Sequence, residues 1–211
     1  MLASAVPARS GQTALELGAG VGTAGLCLAA RVKGCAVMGA EIDQDLVDLA
    51  NINAKANGMA ARVRFVAADI RALPRALRRS FDHVFCNPPF HDGDGQASPD
   101  PRRARARHDS CGLGLWLETG IRRTGPKGTF TAILRADRLK EALDAMPATG
   151  VTVFPLWPKR GAEAKRVIVQ LRRAARRPLA LLPGLVLHEN NGRFTAEADA
   201  VLRHAGALDL G

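Results

Sequence analysis

Apolar positions along the chain follow two alternating periods. Thr13–Leu17 forms a short apolar run of strand length that meets Gly18-Ala-Gly-Val-Gly22, and the apolar Thr23–Arg31 beyond it predicts a packed helix. Ala36–Ile42 reads as a second strand ending beside an acid. Gln44–Asn57 then carries Leu46, Val47, Leu49, Ala50 and Ala54 at helical spacing, with Gly58 as its C-cap. Val63–Ala67 alternates as a third strand before Asp69. Phe81–Cys86 is a fourth, stopped by the paired prolines of Asn87-Pro-Pro-Phe90. Residues 92–109, with Gly, Pro, Asp and four arginines, predict a long mobile Arg-rich loop. Leu113–Arg123 reads as a helix, Thr129–Leu134 as a fifth strand and Arg138–Met146 as a helix. Val151–Leu156 and Arg166–Leu171 read as two final strands. The tail opens on Arg172, Arg173, Arg176 and Arg177, runs through a Leu-rich segment and ends on a helix over Thr195–His204. Strands alternating with helices predict an α/β fold with a mostly parallel sheet covered on both faces. No repeat or boundary divides residues 1–211, so a single domain is expected, with 172–211 as an extension packed on it.

Composition narrows the class. With 47% hydrophobic and 24% charged residues, the 211-residue chain is neither fibrous nor wholly disordered. No apolar run approaches the roughly 18 residues of a membrane span. The first residues lack a basic region followed by an apolar stretch, so no secretory signal and a cytoplasmic location are expected. The net charge of +10 favours a polyanionic partner, nucleic acid first and an anionic membrane surface second. Only six of the thirty basic residues are lysine. Arginine binds phosphate bidentately and suits RNA, although GC-rich coding raises arginine as well. Aromatics are scarce at 4%, with no tyrosine, which argues against a surface that stacks many single-stranded bases. Cys27, Cys35, Cys86 and Cys111 show no Cys-x-x-Cys spacing and read as reduced, mostly buried thiols. His91, His108, His188 and His204 are scattered, and no metal is expected.

Three strand ends and a glycine loop carry candidate chemistry. Glycines after the first strand let the backbone approach a ligand, and the helix N-terminus beyond offers free N–H groups. Gly20-Val-Gly-Thr-Ala-Gly25 matches a dinucleotide fingerprint, but that fingerprint sets its first glycine at the strand end, which here is Gly18. The register Glu16-x-Gly18-Ala19-Gly20-x-Gly22 suits S-adenosylmethionine better, with Glu16 facing its positive methionine end; a glycine turn without ligand is the bland alternative. Glu41, followed by Ile42, is placed to accept ribose hydroxyl protons under either cofactor reading. Asp69 can accept an adenine amino group while Ile70 packs nearby; alone, it reads as a helix N-cap. Asn87, Pro88, Pro89 and Phe90 discriminate. The lone pair of a planar exocyclic amine is delocalised into its ring. The Asn87 side-chain oxygen and the Pro88 carbonyl can each accept one amine hydrogen, and Phe90 offers a stacking face. Catalysis is then mainly alignment. Arg102, Arg103, Arg105 and Arg107 follow the motif and can hold phosphates flanking a flipped nucleotide, or simply form a solvated charge run.

On these residues the chain resembles the class I S-adenosylmethionine-dependent methyltransferases that carry an Asn-Pro-Pro-aromatic motif. It looks most like the bacterial enzymes that methylate the exocyclic amine of an adenine beside the anticodon of a valine tRNA. The likeness runs from residues 14–22 through Asn53–Gly58, Phe81–Phe90 and 97–108 to Leu181–His188 and Gly192–Thr195. It implies a seven-stranded doubly wound sheet with the last strand antiparallel. Glu16, Gly18 and Gly20 would line the methionine end, Glu41 the ribose, Asp69 and Ile70 the adenine ring, and Asn87 to Phe90 the target base. Glu16 stands where Asp is commoner, Ala19 where Cys is common and Phe90 where many members have Tyr. Family members carry a further N-terminal segment over the cofactor, and the expectation is that this chain lacks that lid. The implied partner is RNA, most simply tRNA, and a monomer is expected. Guanine amines in ribosomal RNA and a glutamine amide in release factors are alternative substrates, and a non-catalytic RNA-binding protein on the same fold is a third reading.

Overall fold

Short apolar runs and amphipathic stretches become strands and helices close to the predicted bounds. The computed structural model describes residues 1–89 and 112–211. After a short helix α1 (Leu2–Ala5), β1 (Thr13–Leu17), β2 (Ala36–Glu41), β3 (Val63–Ala67) and β4 (Phe81–Cys86) are linked first by α2 (Thr23–Arg31) and α3 (Gln44–Ala56). Then come α4 (Leu113–Arg123), β5 (Thr124–Arg135), α5 (Leu139–Asp144), β6 (Val151–Lys159) and β7 (Arg166–Arg172). The tail adds β8 (Ala180–Leu181), β9 (Leu185–His188) and α6 (Ala196–Arg203). Asp43 starts α3 by accepting from the Asp45 and Leu46 N–H groups, and Gly58 at φ +67° follows its end. The residue 92–109 loop, Phe90, the four loop arginines and Cys111 lie outside the described residues.

The sheet order is β3-β2-β1-β4-β5-β7-β6-β8, with β9 also on β6. Pairing is parallel from β3 to β5, and β7 runs antiparallel to both neighbours. The expected seventh, antiparallel strand is therefore present, but the sheet has nine strands. The two additions, β8 and β9, are short, flank Pro183 and Gly184, and pair parallel with β6, so their partner lies outside the local pattern. Leu28, Val47, Phe65, Phe85 and Ile168 fill one face of the sheet. Leu15, Leu17, Val84, Leu117 and Phe130 fill the other. The chain leaves β1 outward to β2 and β3, then returns to β4 on the other side of β1. That reversal opens a crevice beyond the carboxyl ends of β1 and β4, where ligands bind in open α/β sheets. No helix among the described residues is long and apolar enough to cross a membrane.

Candidate functional site

The glycine loop is held from two sides. Gly18 and Ala19 donate their N–H groups to the Ala40 carbonyl at 2.8 and 3.0 Å, which laces the loop to the end of β2. From below, the Phe65 ring of β3 fills the space a side chain would occupy: a Cβ on Gly22 would lie 2.7 Å from Phe65, and one on Gly39 2.3 Å. Asn51 of α3 fixes Phe65, donating to its carbonyl and accepting from its N–H at 2.9 and 3.0 Å. Asn53 Nδ2 reaches back to the Val21 carbonyl at 3.0 Å. Gly22, at φ +83°, opens α2 in a left-handed conformation that favours glycine.

Glu16 is buried beneath this loop, its Oε2 accepting the Gly25 N–H in the first turn of α2 at 2.8 Å. Burial pushes its carboxyl up to about 8; the Gly25 hydrogen bond opposes that rise and the nearby Glu41 charge adds to it. The Cys86 thiol, buried close to Glu16, is pushed up mainly by burial.

Beyond the carboxyl ends of the strands lies a pocket of about 180 Å³. Gly18 forms part of it, with Ala40, Glu41 and Ile42 from the end of β2 and Ala68, Asp69 and Ile70 after β3. Asn87 and Pro89 after β4 and Trp116 of α4 complete the lining. Glu41 is oriented by backbone donors: Gly20 N–H to Oε2 at 2.7 Å, and the Ile42 and Asp43 N–H groups to Oε1 at 2.9 and 3.2 Å. Asp69 both lines the pocket and caps the turn at Ile70–Ala72, accepting the Arg71 N–H at 2.8 Å. The Arg71 guanidinium also pairs with it, and that hydrogen bonding holds its carboxyl below the usual range. Trp116 lies over Gly18, where an added Cβ would sit 2.7 Å from the indole; its buried Nε1 has no hydrogen-bond partner among the described residues.

The structure thus brings Gly18, Glu41, Ile42, Asp69, Ile70, Asn87 and Pro89 together, as their positions at strand ends predict. Glu16, Ala19, Gly20, Gly22 and Pro88 stand outside the lining. Glu16 and Gly22 serve the start of α2, Gly20 orients Glu41, and Pro88 is buried. Ala40, Ala68 and Trp116 are additions that sequence reasoning did not single out. Trp116 falls on the helical stripe Leu113, Trp116, Leu117, which reads as core, and its place in an aromatic-poor chain was the one available signal. No group of three or more His, Cys, Asp or Glu able to hold a metal occurs among the described residues.

Residues 1–100 match the family described as the methyltransferase small domain. A tRNA1(Val) (adenine(37)-N6)-methyltransferase of Shewanella halifaxensis is 30% identical over 71% of this chain, which spans 60% of that protein. The protein of the same name from Shewanella baltica strain OS155 is 27% identical over 91% of this chain and 83% of its own length. The crystal structure of a predicted O-methyltransferase from Agrobacterium tumefaciens, 24% identical, superposes with a TM-score of 0.81 over 98% of this chain and 96% of that one. That likeness is one of fold.

Proposed function

We propose, for a chain that carries the methyltransferase small domain on a class I methyltransferase fold with S-adenosylmethionine as its cofactor, that it methylates the exocyclic amine of a base in RNA, N6 of an adenine in tRNA near the anticodon. The observation that carries this reading is the convergence of Glu41, Asp69 and Asn87, from the ends of three strands, on one apolar-walled pocket beside the glycine loop. The names of the relatives from Shewanella support the choice of tRNA adenine.

The donor set suits the cofactor. Glu41 Oε2 accepts one hydrogen bond from the loop and retains a lone pair for a ribose hydroxyl. Asp69 Oδ1 likewise accepts one bond and retains capacity for an adenine amine. Ile42, Ile70, Ala40 and Ala68 supply the apolar walls that a flat purine requires. Gly18 lets the Trp116 indole pack directly against the loop backbone, closing one wall of the pocket where any side chain would clash with the ring. When bound, S-adenosylmethionine supplies an electrophilic methyl group on a sulfonium centre.

Asn87 is exposed at the pocket mouth, where its side-chain oxygen accepts one hydrogen of the target amine. The second falls to the main-chain carbonyl of Pro88, whose ring is buried outside the pocket lining but which stands between the two lining residues Asn87 and Pro89. Two acceptors draw the nitrogen towards tetrahedral geometry and free its lone pair for in-line attack, so the residues contribute chiefly alignment. Neither pocket carboxylate needs to act as base: as the C–N bond forms, the methyl–sulfur bond would break with its electron pair leaving on sulfur as S-adenosylhomocysteine, and the amine proton passes to solvent at the exposed Asn87 side. The test is transfer of label from methyl-tritiated cofactor to total tRNA, to ribosomal RNA and to protein. The proposal expects label in tRNA; label confined to ribosomal RNA or protein overturns the substrate, and no label in any fraction overturns the activity.

A further inference from the structure

A second cavity lies at the opposite end of the strands, where the central β1 and β4 begin. It arises because β5 leaves its register: Phe81 pairs with Thr124 and His83 with Thr129, so Gly125–Gly128 bulges out against the single residue Asp82. The bulge is tight. A Cβ on Gly128 would come within 2.5 Å of the Asp82 carbonyl, and Lys127 is held at φ +61°, a conformation that lysine rarely adopts. The bulge places Lys127 on the wall of a cavity of about 270 Å³ that Arg9, Gln12, His83 and Arg172 also line.

Three cations therefore face one space, and none has a carboxylate partner among the described residues. The one carboxylate there, Asp82, is committed to β1: its Oδ2 accepts the Thr13 N–H at 2.8 Å and the Thr13 hydroxyl at 2.9 Å. His83 adds no charge at neutral pH, because burial holds it down to about 4; the neighbouring Asp82 charge opposes that fall, and Arg172 and Arg31 add to it. Its Nε2–H donates to Gln12 Oε1 at 2.9 Å and its Nδ1 accepts from Thr129 Oγ1 at 2.8 Å. Gln12 Oε1 also accepts the Arg9 N–H at 2.8 Å, which leaves the Gln12 amide N–H groups as further donors. One cation on the strained bulge and two beside it, with fixed neutral donors, match an oxyanion with several acceptor oxygens.

We propose that this cavity binds a phosphate group, held by Arg9, Lys127 and Arg172. The site is separate from the pocket at the carboxyl ends of the strands and does not depend on the methyl-transfer reading. Its phosphate comes either from a nucleic-acid backbone or from a free phosphate.

The test uses the full chain and the double variant Lys127→Gly, Arg172→Gln. Glycine accepts the left-handed conformation, and glutamine keeps the backbone bond from residue 172 to Gly150. A control of equal charge carries Lys55→Gln and Arg64→Gln, both exposed and outside the cavity. Thermal unfolding is followed against inorganic phosphate at constant ionic strength; the control accounts for the general stabilisation that excluded phosphate gives any protein. Wild type and control are expected to show a saturable rise in midpoint, with the apparent Kd at least tenfold weaker in the double variant. An equal response in all three proteins, or no saturable response in wild type, overturns the proposal. A double variant whose midpoint without phosphate falls well below wild type is replaced by Lys127→Gly alone, read the same way. Filter binding of tRNA then assigns the source. A backbone phosphate gives a tenfold loss of tRNA affinity confined to the cavity variant, with the salt slope lower by about 0.9 for each phosphate that is no longer neutralised. Unchanged tRNA affinity alongside the lost phosphate response identifies a free phosphate.

Discussion

Gly18→Ala tests how the glycine loop and α4 build the pocket. Gly18 sits at φ +68°, and the new Cβ would lie 2.7 Å from Trp116 Cη2 and 2.9 Å from Cζ3. A left-handed conformation costs an L-residue about 1–2 kcal/mol. Pushing an indole off a methyl group it overlaps costs about 1–3 kcal/mol more, as in overpacked cores. The lower entropy of alanine in the unfolded chain returns about 0.4–1 kcal/mol. The net expectation is a loss of about 1–4.5 kcal/mol, centred on about 3, and at about 2–4 °C per kcal/mol for a chain of this size the melting midpoint falls by on the order of 10 °C. Urea unfolding of wild type, Gly18→Ala, Trp116→Ala and the double variant separates the two effects. The packing cost, about 1–3 kcal/mol, disappears without the indole and the conformational cost remains. Because Trp116 lines the pocket, Gly18→Ala should also weaken binding of S-adenosylhomocysteine at least tenfold. A cost below about 0.5 kcal/mol, the range of an ordinary surface substitution, would refute the geometry. A cost unchanged in the Trp116→Ala background would refute the packing part of it.

Phe65→Ala removes the ring that supports Gly22 and Gly39 and is expected to cost about 3–5 kcal/mol in urea unfolding, with cofactor binding weakened as the loop loses its floor. Glu16 gives a pH dependence. Its folded carboxyl titrates near 8, against 4.5 when free, so its stabilising contribution is complete below about 4.5 and is lost as pH rises towards about 8. Unfolding free energy should therefore decline with pH across that window, by at most about 1.4 kcal/mol per pH unit from this group, and Glu16→Gln should flatten the decline. An equal slope in the variant would mean that Glu16 is not held protonated.

Much of the frame was legible because its signals are local. The bounds of β1, α2, β3, β4 and α4 follow from apolar period and from breakers that sit beside them: Gly18, Asp69, Asn87 and Gly112. Glu41, Asp69 and Asn87 could be placed for the same reason, since the carboxyl ends of parallel strands converge wherever the sheet reverses. Features that depend on distant partners were not legible. The strands β8 and β9 look like a Pro- and Gly-broken leucine segment, and Leu181 is 69% exposed, so only pairing with β6 reveals them. The start of β5 reads as a Gly-Pro-Lys-Gly loop because its bulge is set by Asp82 of β4. Glu16 was expected to face the ligand, yet one turn of α2 lies above it and takes its oxygen; alternation within β1 gives its face but not what covers that face. Gly22 reads from the sequence as a ligand contact; the Phe65 ring, which fills the place of its side chain, is a second reason for glycine there that only the fold reveals.

The most direct test of the central claim is nucleoside mass spectrometry of tRNA incubated with S-adenosylmethionine and either wild type or Asn87→Ala. The account predicts N6-methyladenosine with wild type and at least a hundredfold less with the variant, while the affinity for S-adenosylhomocysteine stays within threefold. Full methylation by Asn87→Ala, or a methylated nucleoside other than N6-methyladenosine, would contradict it.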